Sequence, residues 1–89
     1  MNAYRIVADN IRGFRHKLDL SQEKLAEHAD LHRNYVGYIE RCERNVAIES
    51  IDKLAKALKV KPHVLFFENA YRLSKEDLSA LNNFHGRSK

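Results

Sequence analysis

Residues 20–60 read LSQEKLAEHADLHRNYVGYIERCERNVAIESIDKLAKALKV, and this stretch decides the fold. Its apolar residues recur at helical spacing in three short runs, separated by a break at Asp30 and by a polar connection over residues 42–47. Ser21 is a candidate N-cap for the first run. The stretch therefore predicts two short helices joined by a tight turn, and a third helix over about residues 48–58.

More helices are predicted on both sides of this stretch. Three Gly and one Pro in 89 residues favour helices with short connections. Pro62 suits the first turn of a short fifth helix, and Ser74 with Asp77 resembles the capping box of a sixth. The apolar stripe of the first helix is Val7, Ile11, Phe14 and Leu18. The apolar face of the sixth is Leu78, Leu81 and Phe84. The sequence therefore predicts an all-α fold of five helices with an extra C-terminal helix.

Composition limits the class of protein. A chain of 89 residues with 44% hydrophobic and 31% charged residues fits one globular domain. Lys and Arg number 16 and Asp and Glu 12, and the formal net charge of +4 is consistent with a polyanionic partner. The N-terminus lacks the apolar core of a signal peptide, no apolar run reaches membrane-spanning length, and one cysteine cannot form an internal disulfide. We therefore expect a cytoplasmic protein that makes no membrane contact.

The second helix of the predicted pair carries polar residues on its outward face. Arg33, Asn34 and Tyr38 lie on this face, while Val36 and Ile39 point inward. Arginine can pair with guanine O6 and N7, and asparagine with adenine N6 and N7, in a major groove that admits a helix. This pattern favours a DNA-reading helix over an enzyme, since no nucleophile with a nearby base and no glycine-rich phosphate loop is present.

The quoted run resembles the Cro/phage-repressor type of helix-turn-helix family, and the resemblance covers about residues 7–68. Within that family, HRNYVGYIERCERNVAIESI and the later FFE are similar to controller proteins of restriction–modification systems. The resemblance implies a lambda-repressor-like DNA-binding domain over residues 1–70, with residues 71–89 as a C-terminal helical extension and basic tail. It also implies a sequence-specific transcriptional regulator that needs no cofactor.

The resemblance assigns roles to individual residues of this chain. The base-reading residues that it implies are Arg33, Asn34, Tyr35 and Tyr38. The phosphate-binding residues are Gln22, Arg41, Arg44 and Asn45. A structural ion pair between the first and third helices is implied for Arg15 and Glu40.

The family also dimerises through the fifth helix, which implies a homodimer with Val64, Phe66 and Phe67 in the interface. Two adjacent aromatic residues on one short helix cannot both face one core, so we expect one of Phe66 and Phe67 to pack inward and the other to meet the second subunit. The expected partners are double-stranded DNA with a palindromic operator, a second copy of the chain, and RNA polymerase at a promoter.

Two positions depart from the family pattern. Cys42 stands where a glycine usually ends the recognition helix in a left-handed conformation, which costs a non-glycine residue about 1 kcal/mol unless the turn differs. Ala47 stands where Ser or Thr often caps the fourth helix, so this cap is expected to be weak.

Other interpretations of the sequence remain open. An antitoxin would use residues 73–84 to wrap a toxin and would bind DNA secondarily, and a nonspecific DNA-coating protein would show no sequence preference. His28 and His32 have the i, i+4 spacing of some zinc helices, but the break at Asp30 separates them, so no metal site is predicted. Cys42, flanked by Arg41 and Arg44, is a candidate redox switch, although an incidental surface cysteine is the simpler interpretation.

Overall fold

A computed structural model describes residues 2–84, and the predicted basic tail over residues 85–89 lies outside them. Within this range the chain is all-helical, as predicted, and contains no strand. The α-helices are α1 (Ala3–Lys17), α2 (Gln22–Ala29), α3 (Arg33–Glu40), α4 (Ile48–Ala57) and α5 (Lys75–Asn82). Two short 3₁₀ helices, Pro62–Phe66 and Ala70–Arg72, connect α4 to α5. The predicted fifth helix is thus a 3₁₀ helix, and the second 3₁₀ helix was not predicted.

Side chains cap four of the five α-helices, and the sequence predicted two of these caps, Ser21 and Ser74. The Ser21 hydroxyl accepts from the Lys24 N–H at 2.9 Å, and the Ser74 hydroxyl accepts from the Asp77 N–H at 3.1 Å. Ala47 at the start of α4 provides no side-chain cap, as expected. Cys42 has a φ of 61°, so of the two alternatives at this position the chain adopts the positive φ of the family glycine rather than a different turn.

The core lies between α1, α2, α3, α4 and the first 3₁₀ helix. Most of the stripe predicted for α1 is buried here, whereas Leu18 at its end is partly exposed. The largest apolar side chains of the core are Ile11, Phe14, Leu25, Val36, Ile39, Leu54, Val64 and Leu65. No residue of α5 is fully buried, and this helix rests Leu78 and Leu81 against the edge of the core. Phe84, predicted on the same face, lies beyond the end of α5 and is exposed.

Asn10 and Gly13 of α1 attach the C-terminal part of the chain to the core. The fully buried Asn10 amide donates to the carbonyl oxygens of Leu65 at 2.9 Å and Phe67 at 2.8 Å, and its oxygen accepts from the Tyr71 N–H at 3.3 Å. The Tyr71 ring packs on Gly13, where a Cβ atom would overlap it. The fold therefore requires a polar residue and a glycine inside a helix.

None of the helices formed by residues 2–84 is long and apolar enough to cross a membrane.

Candidate nucleic-acid interface

The turn between α2 and α3 fixes the two helices against each other. Asp30 adopts the left-handed conformation with φ 57°, and the Leu31 N–H donates to the Ala26 carbonyl oxygen at 2.9 Å. Ala26 of α2 and Val36 and Ile39 of α3 are buried at this junction. Because these residues fill the inner side, α3 leaves Arg33 and Asn34 exposed and Tyr38 partly exposed, as the sequence predicts for this face.

Arg33 and Asn34, the first two residues of α3, are both exposed. The Asn34 N–H donates to Nδ1 of His32, which caps the helix, so the Asn34 amide side chain is not consumed by the cap. Arg33 Nη1 lies 3.7 Å from Glu23 Oε1 of α2. Both side chains are thus available to reach base edges, and their base-reading role remains a prediction.

Tyr35 is half-buried against the core, and its hydroxyl accepts from the Ala47 N–H at 3.1 Å. This bond ties α3 to the start of α4, where Ala47 supplies no side-chain cap of its own. The sequence analysis assigned Tyr35 to base reading and missed this contact, because a residue so far from Ala47 in the chain gives no local signal. The hydroxyl has a structural partner in this structure.

Tyr38 brings together two of the predicted phosphate-binding residues. The guanidinium carbons of Arg41 and Arg44 lie 5.3 Å and 5.0 Å from the centroid of the Tyr38 ring, within cation–π range. Arg41 also forms an exposed ion pair with Glu43 at 3.2 Å. The ring therefore concentrates positive charge at the C-terminal end of α3, while Asn45 is exposed in the following connection.

Glu40 is the centre of a buried polar network between α1, α2 and α3. Its carboxylate is 1% exposed and accepts from Arg15 Nε at 2.7 Å, Arg15 Nη2 at 3.0 Å and Gln22 Nε2 at 3.0 Å. Arg15 also donates to the Leu20 carbonyl oxygen at 2.8 Å. The pair joins α1 to α3, the two helices for which the resemblance implied it. The Glu40 carboxylate also holds the Gln22 amide in place by accepting one of its two N–H groups. The other N–H is the group that the predicted phosphate contact would use.

A polar groove runs along the outward face of α3. We call it the recognition groove, and its lining residues are Gln22, Arg33, Asn34, Gly37, Tyr38 and Arg41. A Cβ atom at Gly37 would lie 3.2 Å from Arg41 Nη1 and 3.4 Å from Gln22 Oε1, so glycine lets these two side chains converge. The groove gathers base-reading and phosphate-binding candidates in one place, with hydrogen-bond donors and positive charge.

The prediction for Val64 as an interface residue is wrong. Val64 is fully buried in the core of its own chain and offers no surface to a second subunit. The expectation that one of Phe66 and Phe67 packs inward is also wrong, since they are 47% and 49% exposed. Val64 and Leu65 already fill the inner side of the 3₁₀ helix, so both aromatic residues remain outside.

An exposed apolar surface surrounds Phe66. Ile48 at the start of α4 is 77% exposed and Tyr4 of α1 is 45% exposed, and both line one groove with Phe66. We call Tyr4, Ile48 and Phe66 the apolar face. Large exposed apolar side chains grouped in this way typically mark a surface that another protein covers.

Residues 2–84 contain no group of three or more His, Cys, Asp or Glu side chains arranged to hold a metal ion. His32, one of the two histidines considered for a metal, accepts the Asn34 N–H through Nδ1 as the cap of α3.

Comparison with known proteins identifies similar chains. A sequence model of a family described as helix-turn-helix matches residues 11–65. The chain is 50% identical over 58 residues to control protein C.SmaI of Serratia marcescens, covering 65% of this chain and 69% of that protein. It is 54% identical over 46 residues to control protein C.BamHI of Bacillus amyloliquefaciens, covering 52% of this chain and 57% of that protein.

Solved structures show the same similarity. The restriction–modification controller protein C.AhdI of Aeromonas hydrophila superposes with a TM-score of 0.68 at 43% identity, over 71% of this chain and 96% of that one. A hypothetical transcription factor of Neisseria superposes with a TM-score of 0.74 at 37% identity, over 80% of this chain and 82% of that one.

Proposed function

The chain belongs to the helix-turn-helix family of DNA-binding transcriptional regulators, and from this premise we propose that it acts as a homodimer on a palindromic operator. The observation that carries the proposal is the recognition groove, in which the Arg33, Asn34 and Arg41 side chains are exposed and make no contact that the buried core needs. The similarity to C.SmaI, C.BamHI and C.AhdI supports a controller role in a restriction–modification system. The proposal includes no catalytic activity and places the protein with the DNA in the cytoplasm.

In this proposal different residues in and beside the recognition groove contact the bases and the phosphates. Arg33 and Asn34 read base edges, since they are exposed at the first turn of α3. Arg41, Arg44 and Asn45 bind phosphates, which raises affinity for any sequence. Tyr35 and Tyr38 take a smaller part in base reading, because the Tyr35 hydroxyl already accepts from the Ala47 N–H and the Tyr38 ring already contacts Arg41 and Arg44. Gln22 adds a phosphate contact from the start of α2.

The apolar face supports the homodimer. A two-fold interface uses the same patch on both subunits, so Tyr4, Ile48 and Phe66 of one chain would pack against the same residues of the second. Phe67, the other aromatic residue expected in the interface, is also exposed. Half-sites one turn of DNA apart, about 34–36 Å, then follow from placing one α3 in each of two successive major grooves.

The homodimer is tested by sedimentation velocity on Phe66→Asp, with Phe84→Asp as the matched control, because Phe84 is also an exposed phenylalanine but lies outside the apolar face. We expect Phe84→Asp to remain a dimer and Phe66→Asp to become a monomer with unchanged helical circular dichroism. A dimer that survives Phe66→Asp would place the interface elsewhere, and a monomeric wild type would refute the homodimer.

DNA reading is tested by selecting bound duplexes from a random pool at near-physiological salt. An enriched palindrome with half-sites one turn apart is the expected result. Enrichment of no sequence would refute sequence-specific regulation and favour a protein-binding role for residues 73–84 instead.

Regulation follows from where the operator lies. Occupancy of a promoter would exclude RNA polymerase or recruit it by direct contact, and transcription in vitro from the selected operator distinguishes the two. If the amount of transcript does not change when the protein is added, RNA polymerase is not one of its partners.

A further inference from the structure

Glu23 and Arg33 form an ion pair that connects α2 to α3 on the DNA-facing side of the molecule. Arg33 Nη1 and Glu23 Oε1 are 3.7 Å apart, and both side chains are exposed. Arg33 lines the recognition groove and also a neighbouring hollow that both Glu23 and Glu27 line, and of these two carboxylates only Glu23 forms an ion pair with Arg33. Arg33 is therefore shared by the recognition groove and this hollow, and its guanidinium group lies within ion-pair distance of the Glu23 carboxylate.

This pair is not needed for the fold. Exposed ion pairs contribute little to stability, because water screens them and ordering two long side chains costs entropy. The start of α2 is already capped by Ser21, and the helix pair is fixed by buried residues and by the turn at Asp30. A carboxylate placed where a DNA backbone approaches also opposes binding, since every phosphate carries a negative charge.

We propose that Glu23 is a specificity-determining residue, an inference that rests on the proposed function and extends it. Glu23 orients the Arg33 guanidinium towards base edges and opposes its use as a phosphate contact. Bidentate pairing with guanine is strong enough to compete with the carboxylate, whereas a single contact to a phosphate beside Glu23 is weakened by repulsion. Glu23 thus lowers affinity for unrelated DNA more than affinity for the operator.

The chain offers a matched control on the same helix. Glu27 is also exposed and also paired, with Lys24 at 3.2 Å, but it makes no ion pair with Arg33. Glu23→Gln and Glu27→Gln each remove one negative charge from α2. Only Glu23→Gln removes the ion pair with Arg33, the proposed base-reading residue.

The experiment measures fluorescence anisotropy of wild type, Glu23→Gln and Glu27→Gln with the selected operator and with a scrambled duplex. We expect Glu23→Gln to reduce the ratio of operator affinity to scrambled-duplex affinity by about two- to five-fold. This is the change in affinity that the loss of one exposed ion pair typically produces. Glu27→Gln should leave the ratio unchanged. An unchanged ratio in Glu23→Gln, or an equal narrowing in Glu27→Gln, would overturn the inference.

A second measurement links the effect to Arg33. In an Arg33→Ala background, Glu23→Gln should no longer change the ratio, and a narrowing that persists would show that Glu23 acts as a general charge. A wild-type ratio of one would refute the proposed function and with it this inference. A high wild-type ratio that Glu23→Gln leaves unchanged refutes the inference alone.

Discussion

Replacing Glu40 with leucine should remove a large share of the folding free energy. The carboxylate is 1% exposed and neutralises Arg15, which is 9% exposed. Without Glu40, the Arg15 cation keeps the Leu20 carbonyl oxygen and the His16 ring as neighbours but has no counter-charge. Removing one partner of a buried pair costs about 3–5 kcal/mol. A small domain has a total stability of about 5–15 kcal/mol, so Glu40→Leu is expected to bring the protein close to unfolding.

Urea unfolding followed by circular dichroism tests this expectation through a double-mutant cycle. Arg15→Met alone should cost a similar amount, because it leaves the Glu40 carboxylate with Gln22 as its remaining side-chain partner. The double variant, which buries two apolar side chains in place of two charges, should lose less stability than the sum of the single variants. Glu40→Gln should lose less than Glu40→Leu, because its amide oxygen can still accept from Arg15.

Two results would refute this reasoning. A cost below about 1 kcal/mol for Glu40→Leu would show that water replaces the carboxylate, as at a surface pair. Additive single variants would show that Arg15 and Glu40 do not depend on each other energetically.

Three further predictions concern residues whose environment the structure defines. Gly13→Ala should destabilise the protein by about 1–3 kcal/mol in urea unfolding, because the new methyl group overlaps the Tyr71 ring; a gain in stability from the better helix former would contradict this. Asn10→Leu should cost about 3 kcal/mol in the same assay, because three buried or part-buried hydrogen bonds are lost, whereas surface Asn34→Leu should be near neutral. Tyr38→Phe should bind DNA like the wild type and Tyr38→Leu should weaken all duplexes alike, because the ring and not the hydroxyl contacts the arginines; relaxed preference at one base pair in Tyr38→Phe would return Tyr38 to base reading.

Helical periodicity and capping residues were sufficient to predict most of the fold. Val7, Ile11 and Phe14 have the spacing of a buried helical stripe and are buried. The Ser74 cap is equally local, since its hydroxyl bonds the N–H three residues on. Features set within one turn of helix can be inferred from sequence because their partners lie nearby in the chain.

Features that depend on distant partners were missed. Asn10 lies among buried residues of α1, and nothing near it in sequence shows that the carbonyl oxygens of Leu65 and Phe67, at the end of the first 3₁₀ helix, accept from its amide. The hydrogen bond from the Ala47 N–H to the Tyr35 hydroxyl, which joins residues twelve positions apart, was missed for the same reason. Val64 was misplaced because the resemblance assigned the segment as a whole to the interface, whereas Val64 and Leu65 are the residues of this 3₁₀ helix that the core buries.

The hydrogen bonds of Asn10 also bear on the order in which the chain folds. The residues that these three bonds join are separated in sequence by 55, 57 and 61 positions. Forming the bonds therefore closes most of the chain into a loop. The chain loses the conformational entropy of loop closure before the new contacts can compensate for it. The turn between α2 and α3 closes over a few residues and carries no such cost. We therefore expect this helix pair to form early and the Asn10 bonds to form after the transition state. Asn10→Leu should then accelerate unfolding far more than it slows refolding in stopped-flow measurements, and the reverse would place closure of the chain ends at the start of folding.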